Sequence, residues 1–253
     1  MSTAAGHPDP HWSSSAALRL PAAVLFDVDG TLAETERDGH RVAFNEAFAH
    51  HDVDLHWDVA RYRELLVVTG GRQRVAYALR QEGVAADEAD EVAARVHRTK
   101  TELFVDVVRR GDIAPRPGVP DLLDDLRAHG VRIGVATTGR RAWVEPLLDH
   151  LIGAGTAEVV VCGDDVAALK PDPGAYLLAL SRLGLDATWT VAVEDSGPGL
   201  RAALAAGLAT VVVTNDDTAH HDVSGAAIVR KAFDRPTPLL AACLAEALAA
   251  VRS

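Results

Sequence analysis

The sequence predicts an α/β fold in which helices cover a parallel sheet and an all-helical domain is inserted into the chain. Short apolar, β-branched runs recur along the sequence, and helical patterns of about ten to fifteen residues separate the later runs, as in a parallel sheet. Residues 35–113, between the first run and the second, carry mostly helical patterns. This interruption predicts the inserted domain.

Five apolar runs predict the strands of a Rossmann-like sheet. They are apolar throughout rather than alternating, which is typical of strands buried on both faces. The predicted strands are residues 22–26, 131–137, 158–162, 189–194 and 209–214. Helical patterns follow at residues 119–130, 173–184 and 195–208. In the last of these, Pro198 near the start and Gly207 past the end agree with the usual helix boundaries.

The domain organisation follows from the same pattern. Residues 20–34 and 114–253 form the predicted catalytic core, and residues 35–113 form a helical cap over the carboxyl ends of the strands. The Ser- and Ala-rich residues 1–19 are predicted to be a flexible tail. If the cap closes over a ligand, the hinges are expected at residues 33–36 and 113–118.

Composition excludes several classes of protein. The 253 residues carry a formal net charge of −11, which argues against broad binding to nucleic acid or to an anionic membrane surface. No apolar run approaches the roughly 18 to 20 residues of a membrane span. The two cysteines do not form a disulfide framework, so a reducing compartment is expected. We therefore expect a cytoplasmic protein, and we take it to be a monomer.

Polar side chains that could take part in catalysis or ligand binding follow four of the predicted strands. They are Asp27 and Asp29, then Thr137 and Thr138, then Lys170, and finally Glu194 and Asp195. Ligands of open α/β sheets bind outside the carboxyl ends of the strands. We therefore expect these side chains to meet in one crevice.

Phosphoryl transfer uses each of these residue types. Crowded carboxylates need a cation, and Mg²⁺ suits oxygen ligands and a substrate phosphate. One carboxylate can form an aspartyl phosphate, while a second, two positions on, protonates the leaving group and later activates water. A Thr hydroxyl and a Lys ammonium can stabilise the charge of the transferring group.

These segments resemble, in order, the four motifs of the haloacid dehalogenase superfamily of phosphatases. The segments are FDVDGT, the threonine after VRIGVA, the lysine of LKPDP and the acidic pair of VAVEDS. The resemblance implies that Asp27 is the nucleophile and Asp29 the general acid/base. It also implies that Thr137 and Lys170 bind the transferring phosphate. Asp195, with Glu194, would bind Mg²⁺ together with Asp27 and the backbone carbonyl of Asp29.

The cap resembles that of the Calvin-cycle xylulose-1,5-bisphosphate phosphatases. In that family the residue matching Glu36 and a Gly-Gly-Lys-Glu-Arg loop contact the sugar bisphosphate. Here the loop reads Gly70-Gly71-Arg72-Gln73-Arg74. Arginine replaces the lysine and keeps its charge, whereas glutamine replaces the glutamate and removes a charge. A Gly-Gly turn followed by two arginines suits a second phosphate. Thr138 and Arg140, beyond the second strand, are further candidates for contact with the substrate.

Three alternatives stay open at this point. A phosphomutase of the β-phosphoglucomutase kind would place a cap histidine near His40, although Gly39 occupies the position counted from Asp29. Phosphoglycolate phosphatase shares the motifs of the core. A receiver-like phospho-acceptor would lack the helical cap. Lys100 is expected to lie on the surface.

Overall fold

The computed structural model describes residues 19–68 and 70–251, and it contains a six-stranded sheet in which all strands are parallel. The spatial order is β3-β2-β1-β4-β5-β6. The strands are β1 (Ala23–Phe26), β2 (Arg132–Ala136), β3 (Val159–Val161), β4 (Thr190–Glu194), β5 (Ala209–Val213) and β6 (Ile228–Arg230). The strand that precedes Asp27 therefore lies near the middle of the sheet.

Burial on both faces explains why the strands are apolar throughout. Along β1, Val24 and Phe26 belong to one hydrophobic cluster, whereas Ala23 and Leu25 belong to another on the opposite face. Helices supply the other side of each cluster. They are α5 (Val119–Ala128), α6 (Arg141–Leu151), α7 (Gly174–Leu183), α8 (Gly197–Ala205) and α9 (Ala241–Ala250).

All the described helices between β1 and α5 form one group, the cap. It begins with a π-helical turn, Glu36–His40, and continues with α1 (Arg41–His50), α2 (Val59–Leu65), α3 (Gly71–Gln81) and α4 (Ala86–Arg110). The cap has its own core, in which the rings of Phe44, Trp57 and Tyr62 contact one another. An independent core is what an inserted helical unit needs.

Two chain segments join the cap to the sheet, and they lie side by side. Ala33, before the cap, forms an antiparallel bridge with Pro115, after it. The backbone N–H of Arg116 also donates to the carbonyl of Leu32, with an N···O distance of 2.8 Å. These two paired segments, which join the cap to the sheet, form the stalk of the cap.

The predicted fold class is confirmed, with differences in detail. The five predicted strands are present, but β6 was not predicted because it is a short, partly exposed edge strand. The predicted tail lies outside the described residues except for Arg19. Among the described helices, none combines the length and apolarity needed to cross a membrane.

Candidate active site

The predicted site residues converge at the carboxyl end of the sheet. Asp27 follows β1, Thr137 follows β2, and Glu194 ends β4. Because β1 pairs with both β2 and β4, these three positions are neighbours. The loop after β3 brings Lys170 to the same point, where its ammonium lies 2.7 Å from Oδ1 of Asp27.

Lys170 lies between two carboxylates in a buried network. Its Nζ contacts Oε1 of Glu194 at 2.6 Å in addition to Asp27. The hydroxyl of Tyr176 donates to the same Oε1 at 2.6 Å, and Lys170 Nζ reaches that hydroxyl at 3.3 Å. Burial raises the pKa of Tyr176 and Glu194 raises it further, so the hydroxyl stays protonated as a donor. These bonds fix Lys170 beside the expected nucleophile.

Three buried carboxylates form a cluster that could hold a metal ion. One oxygen each of Asp27, Glu194 and Asp195 lies within 4.8 Å of the others. Two glycines make room for the cluster. A Cβ on Gly30 would lie 2.3 Å from Oδ2 of Asp195, and one on Gly199 would lie 1.9 Å from Oε2 of Glu194. The space around the carboxylates is therefore built into the backbone.

The electrostatics of this cluster fit a hard divalent cation. Burial raises the pKa of Asp27 to about 7, against the attraction of Lys170 and with help from Glu194 and Asp29. Burial, then the charges of Asp27 and Glu194, hold the pKa of Asp195 well above its usual range. A divalent cation with oxygen ligands would relieve this repulsion.

Asp29 lies apart from the three-carboxylate cluster. Its Oδ1 accepts a hydrogen bond from the hydroxyl of Thr35, at the base of the cap. Burial raises the pKa of Asp29 to about 6, although the bond from Thr35 opposes this. A carboxyl group that titrates near neutral pH can both donate and accept a proton. The side chain of Asp29 is thus suited to acid/base chemistry rather than to metal ligation.

A cavity of about 270 Å³ opens above these groups. Its lining combines the core carboxylates with cap and loop residues: Asp27, Asp29, Gly30, Glu34, Glu36, Thr138, Lys170, Asp195, Ser196, Pro198, Gly199, Asn215, Asp217 and Thr218. Thr137 is buried and its Oγ1 accepts from the N–H of Gly139 at 3.0 Å. Thr138, the next residue, is the one that faces the cavity.

Glu36 contributes to the cavity from the cap side. The hydroxyl of Tyr62 donates to its Oε2 at 2.6 Å, and Arg74 NH1 donates to that hydroxyl at 2.8 Å. Arg74 itself is only 7% exposed, and its Nε donates to the carbonyl of Leu65. The structure therefore places Arg74 behind Tyr62 and Glu36, where it supports the cavity wall and does not line it.

The remaining cap candidates lie together at the cap–core junction, outside that cavity. Gly70 precedes α3, and Gly71 begins it against the rings of Phe44 and His97. Arg72 and Arg140 are both exposed. Burial and then the charge of Lys100 lower the pKa of His97, and the charges of these two arginines lower it further. Arg72 of the cap and Arg140 of the core thus both lie within electrostatic range of His97.

The prediction that Lys100 lies on the surface is wrong. It is 8% exposed, its Nζ lies 2.8 Å from Nδ1 of His40, and its ammonium is 4.8 Å from the ring centre of Phe104. Burial lowers its pKa to about 8, while Glu36 and Asp29 oppose that change. The cap therefore buries a cation within electrostatic range of Asp29.

The π-helical turn explains how His40 reaches Lys100. A π-turn holds one residue more than an α-helical turn. His40, one position later than the count from Asp29 predicts, ends this turn and packs against Phe104 with tilted rings whose centres are 3.9 Å apart. Burial and then Lys100 lower the pKa of His40, so the imidazole is neutral.

Sequence reasoning missed two residues of the site. Tyr176 belongs to α7 and reads as an ordinary core residue, yet it binds Glu194 and Lys170. Asn215 follows β5, and its Nδ2 donates to Oδ2 of Asp195 at 2.9 Å. The signal for Asn215 was available, because it too is a polar residue directly past an apolar strand.

Comparison with known proteins agrees with this architecture. Residues 21–207 match the model of the haloacid dehalogenase-like hydrolase family. The chain belongs to this family, and it is an enzyme of the phosphatase type. It is 47% identical over 207 residues to the protein CbbY of Cereibacter sphaeroides, covering 81% of this chain and 89% of that protein. It is 40% identical to a CBBY-like protein of Arabidopsis thaliana, covering 85% and 70%.

Solved structures give the same result. The crystal structure of CbbY from Rhodobacter sphaeroides in complex with phosphate matches with a TM-score of 0.72 and 43% identity, covering 87% of this chain and 98% of that one. A mutant of that protein in complex with xylulose-1,5-bisphosphate matches with a TM-score of 0.71, 43% identity and the same coverage. The chain is therefore similar to CbbY in sequence and in fold.

Proposed function

We propose that the protein is a Mg²⁺-dependent phosphatase that hydrolyses a sugar bisphosphate, xylulose-1,5-bisphosphate foremost, through an aspartyl phosphate. The buried network of Asp27, Lys170 and Glu194 is the observation that carries this proposal. It places a buried carboxylate beside a fixed cation at the centre of a parallel sheet. The similarity to CbbY, crystallised with that sugar bisphosphate, supports the substrate.

The residues divide the chemistry between them. An oxygen of Asp27 attacks phosphorus while Asp29 gives a proton to the departing alkoxide, and Asp29 then removes a proton from the water that hydrolyses the aspartyl phosphate. Lys170 and Thr138 offer donors to the phosphoryl oxygens. Asp27, Glu194, Asp195 and the carbonyl of Asp29 would hold Mg²⁺, which supplies positive charge for the transferring phosphoryl group.

The exposed cations at the cap–core junction are the proposed site of the second phosphate. Arg72 and Arg140 come from different parts of the chain but act on the same His97. An Arg72→Gln variant should raise KM for a bisphosphate about tenfold and leave KM for a monophosphate unchanged. Arg98→Gln, an exposed arginine on α4, is the matched control. Equal effects of Arg72→Gln on both substrates would refute the assignment of Arg72 to the second-phosphate site.

Phosphate release with Mg²⁺ tests the proposed reaction. The panel consists of xylulose-1,5-bisphosphate, ribulose-1,5-bisphosphate, phosphoglycolate and β-glucose-1-phosphate. Asp27→Asn should abolish release, whereas Asp121→Asn, an exposed acid at the start of α5, should not. A phosphoglycolate-led profile would replace the substrate, and an isomeric sugar phosphate seen by NMR would identify a phosphomutase. Activity in the Asp27→Asn protein would refute the mechanism.

We further propose that residues 35–113 constitute the cap domain and that the protein works as a monomer without nucleic-acid or membrane partners. The net charge of −11 disfavours anionic partners such as nucleic acid and anionic membrane surfaces. A mass near 26.8 kDa from light scattering is the expected result.

A further inference from the structure

Arg116 is a buried arginine next to the site, and its guanidinium is bound from several directions. The residue is 6% exposed. Its NH1 donates to the carbonyls of Gly30 and Val213, the latter at 2.9 Å, and its NH2 donates to the carbonyl of Thr214 at 2.8 Å. Burying a charge is costly unless it is paired and fully hydrogen-bonded.

The other contacts of Arg116 reach the stalk that carries the cap. Its Nε lies 3.0 Å from Oε1 of Glu34, which precedes the cap, while Arg116 itself follows the cap. The guanidinium carbon lies 5.2 Å from the ring centre of Phe233 in the core. The side chain of Arg116 therefore links both segments of the stalk to the end of β5.

The carbonyl of Gly30 links this arginine to the reacting groups. It accepts from Arg116 and, at 3.2 Å, from Nδ2 of Asn215, which also binds Asp195. Gly30 directly follows Asp29, and its φ of +77° forms a tight turn against Asp195. Movement of the Gly30 carbonyl would therefore move the backbone that carries Asp29.

We propose that Arg116 is a positioning residue that holds the Asp29–Gly30 turn so that Asp29 can protonate the leaving group. This inference rests on the proposed function, in which Asp29 is the general acid. Arg116 does not touch the substrate and makes or breaks no bond. Its donors fix the turn, and its ion pair with Glu34 ties that turn to the base of the cap.

Two aryl phosphates of nearly equal size test this role. Phenyl phosphate has a basic leaving group that needs a proton, whereas p-nitrophenyl phosphate has a stable leaving group that does not. General acid catalysis contributes on the order of 10²–10⁴-fold, so its loss is measurable. Arg116→Lys, which cannot reproduce the donors of a guanidinium, should lower single-turnover phenol release by about 100-fold and p-nitrophenol release by less than about threefold.

A double variant distinguishes positioning from general damage. If Arg116 acts through Asp29, Arg116→Lys combined with Asp29→Asn should release phenol no more slowly than Asp29→Asn alone. Arg127→Lys is the matched control, because that arginine also binds a carbonyl and a carboxylate but lies on α5, away from the site. It should match the wild type on both substrates.

Phe233→Leu gives a milder perturbation if Arg116→Lys does not fold, since it removes only the ring beneath the guanidinium. It should lower phenol release about threefold and leave p-nitrophenol release unchanged. Equal losses on both substrates, or no loss on either, would overturn the assignment of Arg116. A wild-type protein that releases no phosphate from any substrate would instead refute the proposed function.

Discussion

Replacement of Tyr176 by phenylalanine removes one hydroxyl from the buried network, with its short bond to Glu194 and its longer contact with Lys170. The hydroxyl donates to Oε1 of Glu194 at 2.6 Å and is fully buried. Phenylalanine keeps the ring and its packing but removes the donor. Lys170 still binds the same oxygen, so Glu194 keeps one partner and is not left as an unpaired charge.

The expected loss of stability follows from the type of bond. A hydrogen bond to a charged group contributes about 1.5–3 kcal/mol, so about 2 kcal/mol should be lost from the free energy of unfolding without Mg²⁺. For a protein of this size, that corresponds to a Tm lower by about 4–8 °C. With Glu194 and Lys170 less firmly held, kcat should fall about tenfold at a nearly unchanged KM.

Urea unfolding followed by circular dichroism measures the first effect, and steady-state phosphate release measures the second. Tyr77→Phe is the control, because Tyr77 is 41% exposed and its hydroxyl accepts a hydrogen bond from Gln81. That change should alter stability by less than about 0.5 kcal/mol. If Tyr176→Phe were as stable as Tyr77→Phe, the hydroxyl would not support the network as argued.

Three further changes give expected outcomes. Gly199→Ala places a Cβ against Glu194, so Mg²⁺ titration should show at least tenfold weaker activation, and unchanged activation would contradict the steric argument. Lys100, with its lowered pKa of about 8, destabilises the fold at neutral pH. In urea titrations, the stability of the wild type relative to Lys100→Met should therefore rise by up to about 3 kcal/mol from pH 8 towards pH 10. Arg63→Gln breaks a 2.6 Å ion pair between cap and core at Asp217, so hydrogen exchange in the stalk should quicken, most clearly at low salt.

Much of the core site could be predicted because parallel strands place their ends together. The apolar runs located five strands, and the polar residues beyond them located Asp27, Lys170 and Asp195. β6 escaped because a partly exposed strand of three residues carries no continuous apolar signal.

The cap was less predictable, for a physical reason. Its side chains are placed by contacts between helices that are distant in sequence. Lys100 lies in the polar stretch HRTKTELF, which is typical of a surface helix, but Phe44 and Phe104 enclose its ammonium. Arg74 was predicted to contact a second phosphate, and its side chain is bound behind Tyr62. These contacts involve residues distant in sequence, so the local sequence does not predict them.

The π-helical turn at Glu36–His40 has a consequence for how chain length can vary at this site. Its surplus residue is absorbed before α1 begins, so the buried side of α1, including Phe44 and Phe48, stays turned towards the cap core. Removing one residue within the turn would convert it to an ordinary α-helical turn without rotating α1. Deletion of a single residue is therefore tolerated at this point between β1 and α1, whereas elsewhere in a helix it would turn the apolar face by about 100°.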